Sequence, residues 1–173
     1  MASFSGMSDE GNPSAGGRPS GDELRKALAT FPTGIAIVTT FAGEEPIGAT
    51  ANAITGLSLD PPLILACLDR RSQTLEAIRS SGRFGVNGLG SEHENLARAF
   101  SDPSTRETRW DELEWEESLG SPRIGEMPLW VGCSLHDLVE GGDHLIAIGA
   151  VEEIEGRDAD PLIFHGGDYH GLR

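Results

Sequence analysis

Residues 31–72 read FPTGIAIVTTFAGEEPIGATANAITGLSLDPPLILACLDRRS and hold three apolar, strand-like runs, 34–41, 47–55 and 63–68. The first is rich in β-branched residues. Gly43-Glu44-Glu45-Pro46 then reads as a hairpin turn, and Asp60-Pro61-Pro62 as a break before the third run. Small hydroxyl residues crowd the middle of the stretch, and two adjacent arginines stand near its end. That combination suits a β-barrel presenting backbone amides to a planar, phosphorylated ligand.

Upstream, residues 1–19 are rich in Gly, Ser and Pro and nearly free of large apolar groups. Such a segment cannot offset its ordering entropy by burial and is expected to be a disordered tail, with one folded domain over 20–173. Ser20 and Glu23 form a capping box, opening a helix whose stripe is Leu24, Ala27, Leu28 and Phe31 and which Pro32 should close. Downstream, Ser72 or Thr74 is expected to cap a short helix reaching Ser80, and 84–89 reads as a strand. Ser91 and Glu94 form a second capping box, for a helix carrying Leu96, Ala99 and Phe100.

Residues 101–128 are polar and turn-rich, an excursion with room for one short strand or helix. Leu129, Val131, Cys133, Leu135 and Val139 broadly alternate, Gly141-Gly142-Asp143 turns the chain, 145–154 runs back, and 161–164 is short and apolar. Six or more strands with brief helices at the joins predict a mainly β fold, an antiparallel barrel with peripheral helices.

The 173 residues, 38% hydrophobic, suit a single domain with a proper core. No run approaches the roughly eighteen apolar residues of a membrane span, and no basic segment followed by an apolar one opens the chain, so the expected location is cytoplasmic. The formal charge of -15 argues against nucleic acid, which draws affinity from basic patches. Asp111, Glu112, Glu114, Glu116 and Glu117, within the acidic segment 107–126, read as a solvated face. Cys67 and Cys133 each lie in an apolar run and are read as small hydrophobes rather than a disulfide. The five histidines are scattered without ligand spacing, so no metal site is expected.

Absent motifs narrow the chemistry. There is no Rossmann glycine fingerprint, no P-loop and no nucleophile elbow. Ser134, His136 and Asp137 include the residue types of a triad, but positions two apart on a strand share one face and leave no room for a substrate. Thr50-Ala51-Asn52-Ala53 after Gly48 would let a flat ring approach the backbone, or would simply pack a barrel seam. In Asp69-Arg70-Arg71-Ser72-Gln73-Thr74, two arginines precede a helix start where orphan amides favour an anion. The plain alternative is a surface loop in which Arg70 pairs with Asp69. Gly142-Asp143-His144 puts an imidazole at a strand entrance, either facing a ligand with its tautomer held by a neighbour or idle in a turn. His165 and His170, flanking a Gly-Gly turn, read as idle.

Taken together, these segments resemble the flavin reductase-like family. The matches are Phe31-Pro32-Thr33-Gly34 leading to Val38-Thr39-Thr40, Gly48-Ala49-Thr50-Ala51-Asn52-Ala53, Leu57-Ser58-Leu59-Asp60-Pro61-Pro62 and Asp69-Arg70-Arg71-Ser72-x-Thr74. Phe84-Gly85-Val86-Asn87, Gly142-Asp143-His144 and Pro161-Leu162 before Gly167-Asp168-Tyr169 follow in the family's order. The resemblance implies a homodimeric split barrel that reduces FMN or FAD with NADH or NADPH and supplies reduced flavin to a separate monooxygenase. Carried over by position, Thr50, Ala51, Asn52, Ala53 and Ser58 would border the isoalloxazine, with Thr33 in the same cofactor-binding set. Asp69, Arg70, Arg71, Ser72 and Thr74 would border the ribityl phosphate, with Asn87 close by. His144, supported by Asp143, would sit near the nicotinamide and Tyr169 near the flavin or the pocket mouth. The chain departs from the family at Ala53, where a small hydroxyl is usual, at Asp168, where a base is common, and over 106–127. The other readings are a split-barrel oxidoreductase with tightly bound flavin and another acceptor, and a flavin-binding module without turnover.

Overall fold

The computed structural model describes residues 17–172; the segment 1–16, most of the expected tail, lies outside the described residues. Helix α1 (Gly21–Leu28) opens with the expected capping box: the Glu23 N–H donates to Ser20 Oγ at 3.2 Å, and the Ser20 N–H donates to Glu23 Oε2 at 2.8 Å. It ends earlier than expected. The N–H groups of Thr30 and Phe31 donate to Ala27 and Leu28 carbonyls three residues back, so the last turn tightens before Pro32 is reached.

Strand β1 (Thr33–Gly34) leads into β2 (Ala36–Ala42), which turns through Gly43 into β3 (Glu45–Ala51). The run expected as a single strand over 47–55 breaks at Asn52-Ala53, and β4 (Ile54–Leu59) continues on the other edge of the sheet. The Ala53 carbonyl at this corner accepts the Cys67 N–H at 2.9 Å. After the Asp60-Pro61 turn come β5 (Pro62–Asp69), α2 (Gln73–Ser81), β6 (Arg83–Gly88) and α3 (Glu94–Ser101). Ser72 is the N-cap of α2, as expected.

The second capping box does not form. Residues Ser91–His93 make a single 3-10 turn, and the Ser91 N–H that Glu94 would accept donates instead to the Asp160 carbonyl at 2.8 Å, while the Gly90 N–H donates to His93 Nδ1 at 3.0 Å. The excursion holds two strands instead of one, β7 (Trp115–Ser118) and β8 (Ser121–Ile124). They turn through Leu119 and Gly120, both at positive φ. Trp115 lies 6.0 Å from Trp110 and 5.9 Å from Phe41, while Arg123 reaches Glu153 and Glu155, which fastens the hairpin to the barrel.

Long strands β9 (Leu129–Gly141) and β10 (His144–Gly156) follow, then β11 (Ile163–His165) and β12 (Asp168–His170). The main sheet runs β3-β2-β6-β9-β10-β5-β4, all antiparallel. Its edge strands β3 and β4 are consecutive in the chain but share no ladder among the described residues, which is the split of a split barrel. The barrel interior is apolar and includes Val38, Ala66, Phe84, Val86, Val131 and Ala147. Cys133 is buried among them with its thiol pushed up to about 12 by burial, and both cysteines are free. A second core under α3 joins Ile37, Leu89, Phe100, Ile124 and Leu162.

One polar side chain is sealed between the two cores. Asn87 is fully buried; its Nδ2 lies within reach of the Ile37 and Pro122 carbonyls and Thr39 Oγ1 at 3.1–3.4 Å, and its Oδ1 accepts the Ile124 N–H at 2.8 Å. Its amide stitches β2, β6 and β8, leaving no group free for a ligand. The structure therefore removes Asn87 from the candidate site.

Candidate active site

A cleft of about 490 Å³ opens between α2 and the C-terminal end of α3, with Ile47, Gly48 and Ala49 of β3 as its floor. The near wall carries Asp69, Arg71, Ser72, Gln73 and Thr74, four of them expected from sequence. Ser72 Oγ accepts the Leu75 N–H at 3.5 Å, which leaves the Gln73 and Thr74 amides without intrahelical acceptors. Those amides and the helix dipole favour an anion.

The arginines divide differently from the expected pairing. Asp69 takes Arg71, not Arg70: the Arg71 Nε and Nη2 donate to its two oxygens at 3.1 and 2.8 Å, and the Arg71 backbone N–H donates to Oδ1 at 2.8 Å. Arg71 holds the Asp69 carboxyl well below the usual carboxylate range. Arg70 swings to the β9–β10 hairpin, where its Nε donates to the Gly142 carbonyl at 2.8 Å and its Nη2 lies 3.3 Å from Glu140. It braces the loop and does not line the cleft.

His144 opens β10 directly opposite Asp69 in the ladder, so the turn histidine stands beside the near wall rather than on it. Its ring is part-exposed, and Nδ1 meets Asp143 Oδ1 at 2.8 Å. That bond lowers the Asp143 carboxyl below its ordinary value and fixes the imidazole's orientation, leaving Nε2 for another partner.

A second cavity of about 410 Å³ lies beyond the other end of β3, lined by Phe31, Thr33, Asn52, Ile54, Thr55 and Leu129 among others. Asn52 Nδ2 donates to Thr33 Oγ1 at 3.2 Å across its mouth. Thr50 and Ala51 lie between the two cavities on β3. Thr50 Oγ1 donates to the Ala97 carbonyl at 2.7 Å, pinning α3 to the strand, and Ala51 is buried in the barrel core. These two residues, with Ala53 at the corner, offer backbone and shape rather than free side-chain polar groups.

Two expected residues lie elsewhere. Ser58 lines an apolar groove of about 360 Å³ with Leu59, Pro62 and Ile154, apart from both cavities. Tyr169 packs against Phe164 with ring centroids 5.4 Å apart, and Arg98 covers its ring at 4.9 Å. It lines neither cavity. Two residues that the sequence did not single out do line the cleft: Arg106 and Arg109, on the wall facing α2. The only signal for them was a pair of arginines three apart at the edge of an acid-rich segment.

Known proteins resemble this chain over most of its length. Residues 28–173 match the family model described as "Flavin reductase like domain". A "Probable flavin reductase" of Rhizobium meliloti is 38% identical over 148 residues, 84% of this chain, and the match spans 47% of that longer protein. The reductase subunit HsaB of a flavin-dependent monooxygenase from Mycobacterium tuberculosis is 36% identical over 153 residues, 86% of this chain and 81% of that one. The solved NADH:FAD oxidoreductase SgcE6 of Streptomyces globisporus C-1027, in complex with NAD and FAD fragments, superposes with a TM-score of 0.80 at 34% identity. That alignment covers 86% of this chain and 90% of the other.

Proposed function

The chain belongs to the flavin reductase-like family, and on that premise we propose that it reduces FMN or FAD with NADH or NADPH and releases the reduced flavin to a separate monooxygenase. The observation that carries this reading is the cleft: a nucleotide-sized space beside β3, with two free helix amides and Arg71 on one wall. Arg106 and Arg109 line the other wall, where their positive charge suits an anionic ligand. Flavin supplies the hydride acceptor and reduced nicotinamide the donor, so no side-chain nucleophile is needed.

The chain's own residues then have positional duties. Arg71, Ser72 and the α2 amides hold the ribityl phosphate, and β3 from Gly48 to Ala51 gives the flavin a backbone edge to lie along. Asn52 and Thr33 border the ring in the second cavity. His144, oriented by Asp143, positions the nicotinamide. NADH consumption is expected to depend on added FAD or FMN, with a colourless protein as isolated. No consumption with either flavin would overturn the proposal.

The same reading includes a homodimer in the cytoplasm. Among the described residues, no helix is long and apolar enough to cross a membrane. Helix α1 buries no residue, and its stripe of Leu24, Leu28 and Phe31 is 55%, 59% and 69% exposed. Eight residues make too short a helix to be stable alone in water, so it calls for a cover. A second copy fits, because Phe31 also lines the second cavity and the covering subunit would complete the wall around the ring. Light scattering is expected to give twice 18.4 kDa; a fully active monomer would overturn this part.

A further inference from the structure

Twenty-eight acidic residues face thirteen basic ones in this chain, and most of the described arginines have a carboxylate partner. Between positions 70 and 123, Arg70, Arg71, Arg79, Arg83, Arg98 and Arg123 each lie within salt-bridge range of at least one carboxylate. Arg106 and Arg109 are the two in that interval that do not, and both line the far wall of the cleft. They are also close enough to oppose each other: burial, and then the charge of Arg106, lower the Arg109 guanidinium from its ordinary value.

The fold holds Arg109 in this position. Its Nη2 donates to the Gly48 carbonyl at 2.7 Å, its Nη1 lies 3.4 Å from the Phe100 carbonyl, and its guanidinium covers the Phe100 ring at 4.6 Å. Nε is buried with no acceptor. The carboxylates lining the cleft are already engaged: Asp69 by Arg71, and Asp102 by the Ser104 N–H at 2.8 Å. The far wall thus carries two like charges with no carboxylate in salt-bridge range among the described residues. An anionic group between the walls would relieve that repulsion.

We propose that Arg106 and Arg109 form a second anion subsite that takes the adenosine-side phosphate of FAD, so that this chain selects FAD over FMN. The inference rests on the flavin reading of the cleft. A monophosphate anchored at α2 uses only the near wall; a diphosphate continuing into adenosine reaches across, and about 490 Å³ leaves room for it. Arg106 is exposed and bears little on folding, so it is the residue to change.

Flavin fluorescence quenching on the full chain, with FAD, FMN and riboflavin, tests this, with ADP as a competitor. Arg106→Gln is expected to weaken FAD and ADP about tenfold to a hundredfold, the loss of one charge-assisted contact, while FMN stays within about twofold. Arg106→Lys is expected to recover part of the FAD affinity. Equal losses for FAD and FMN, or none for either, would overturn the subsite while leaving the flavin reading intact. A parent chain that binds neither flavin would overturn both.

Discussion

The two walls of the cleft handle charge in opposite ways. On the α2 side the arginine arrives with its own carboxylate, Asp69, two residues earlier in the chain, and the loop is neutralised before any ligand enters. On the α3 side Arg106 and Arg109 meet no carboxylate, and Arg109 is held by carbonyls and an aromatic face instead. A self-paired wall is ordered in advance and gives geometry; an unpaired wall leaves charge in reserve and gives affinity. The difference teaches that a cleft in a strongly acidic protein can offer an anion either oriented amides beside a self-paired arginine or arginines withheld from the surrounding carboxylates.

The largest expected effect comes from dismantling the far wall. Arg109→Ala loses the Gly48 bond, the weaker Phe100 bond and the stacking on Phe100. It should cost about 2–3 kcal/mol in urea denaturation, since one hydrogen bond to a charged group contributes ~1.5–3 and a cation–π contact ~0.5–2. A change near zero would mean that the wall is held by other packing.

Next comes the floor between the walls. A Cβ at Gly48 would meet Phe100 Cε1 and the Val38 carbonyl at 3.1 Å and Ile37 Cγ2 at 3.2 Å. Gly48→Ala should therefore push Phe100 outward at a cost of about 1–3 kcal/mol and shift FAD affinity more than FMN affinity. Equal shifts would show that the two walls move together.

The near wall is sharpened by a pair of variants. Arg71→Ala should weaken FMN about tenfold, both by losing a phosphate donor and by exposing the phosphate to an unpaired Asp69. Asp69→Asn added to it should recover much of that loss, and riboflavin should be unaffected by either. Because Arg71 depresses the folded-state pKa of Asp69, the stability this pair contributes is fully present above the unfolded carboxyl pKa, about 4. It is lost progressively as pH falls from there through the lower folded value. The difference between parent and Arg71→Ala in urea midpoint should stay constant from about pH 5 to 8 and shrink below about pH 4.

The smallest effect is at the helix cap. Ser72→Ala removes an acceptor that sits at 3.5 Å from the Leu75 N–H, so it should cost about 0.5–1 kcal/mol, the low end for an N-cap. A loss of FMN affinity much beyond that would give the Ser72 hydroxyl a direct phosphate contact.

Much of the near wall was legible because its signals are local. The Ser72 cap, the Ser20–Glu23 capping box and the Gly43 hairpin each depend on residues within four positions of one another. Even so, the Ser91–Glu94 motif failed where the distant Asp160 carbonyl took the Ser91 N–H. Asn87 falls near the ligand only by position in the family resemblance, and its burial cannot be seen in one dimension. The chain that seals it, Pro122 to Ile124, is more than thirty residues away.

The sequence by itself determined the mainly β class, most of the strands, the α1 and α2 starts and the family, since alternation, caps and turns are set by interactions of a few residues. Tertiary structure alone decided which edge of the sheet β4 joins and that Arg71 rather than Arg70 takes Asp69. It also decided that Asn87 is sealed while Arg106 and Arg109 meet no carboxylate among the described residues. The reason is that burial and charge pairing depend on which distant segment arrives in space, and neither spacing nor composition records that arrival.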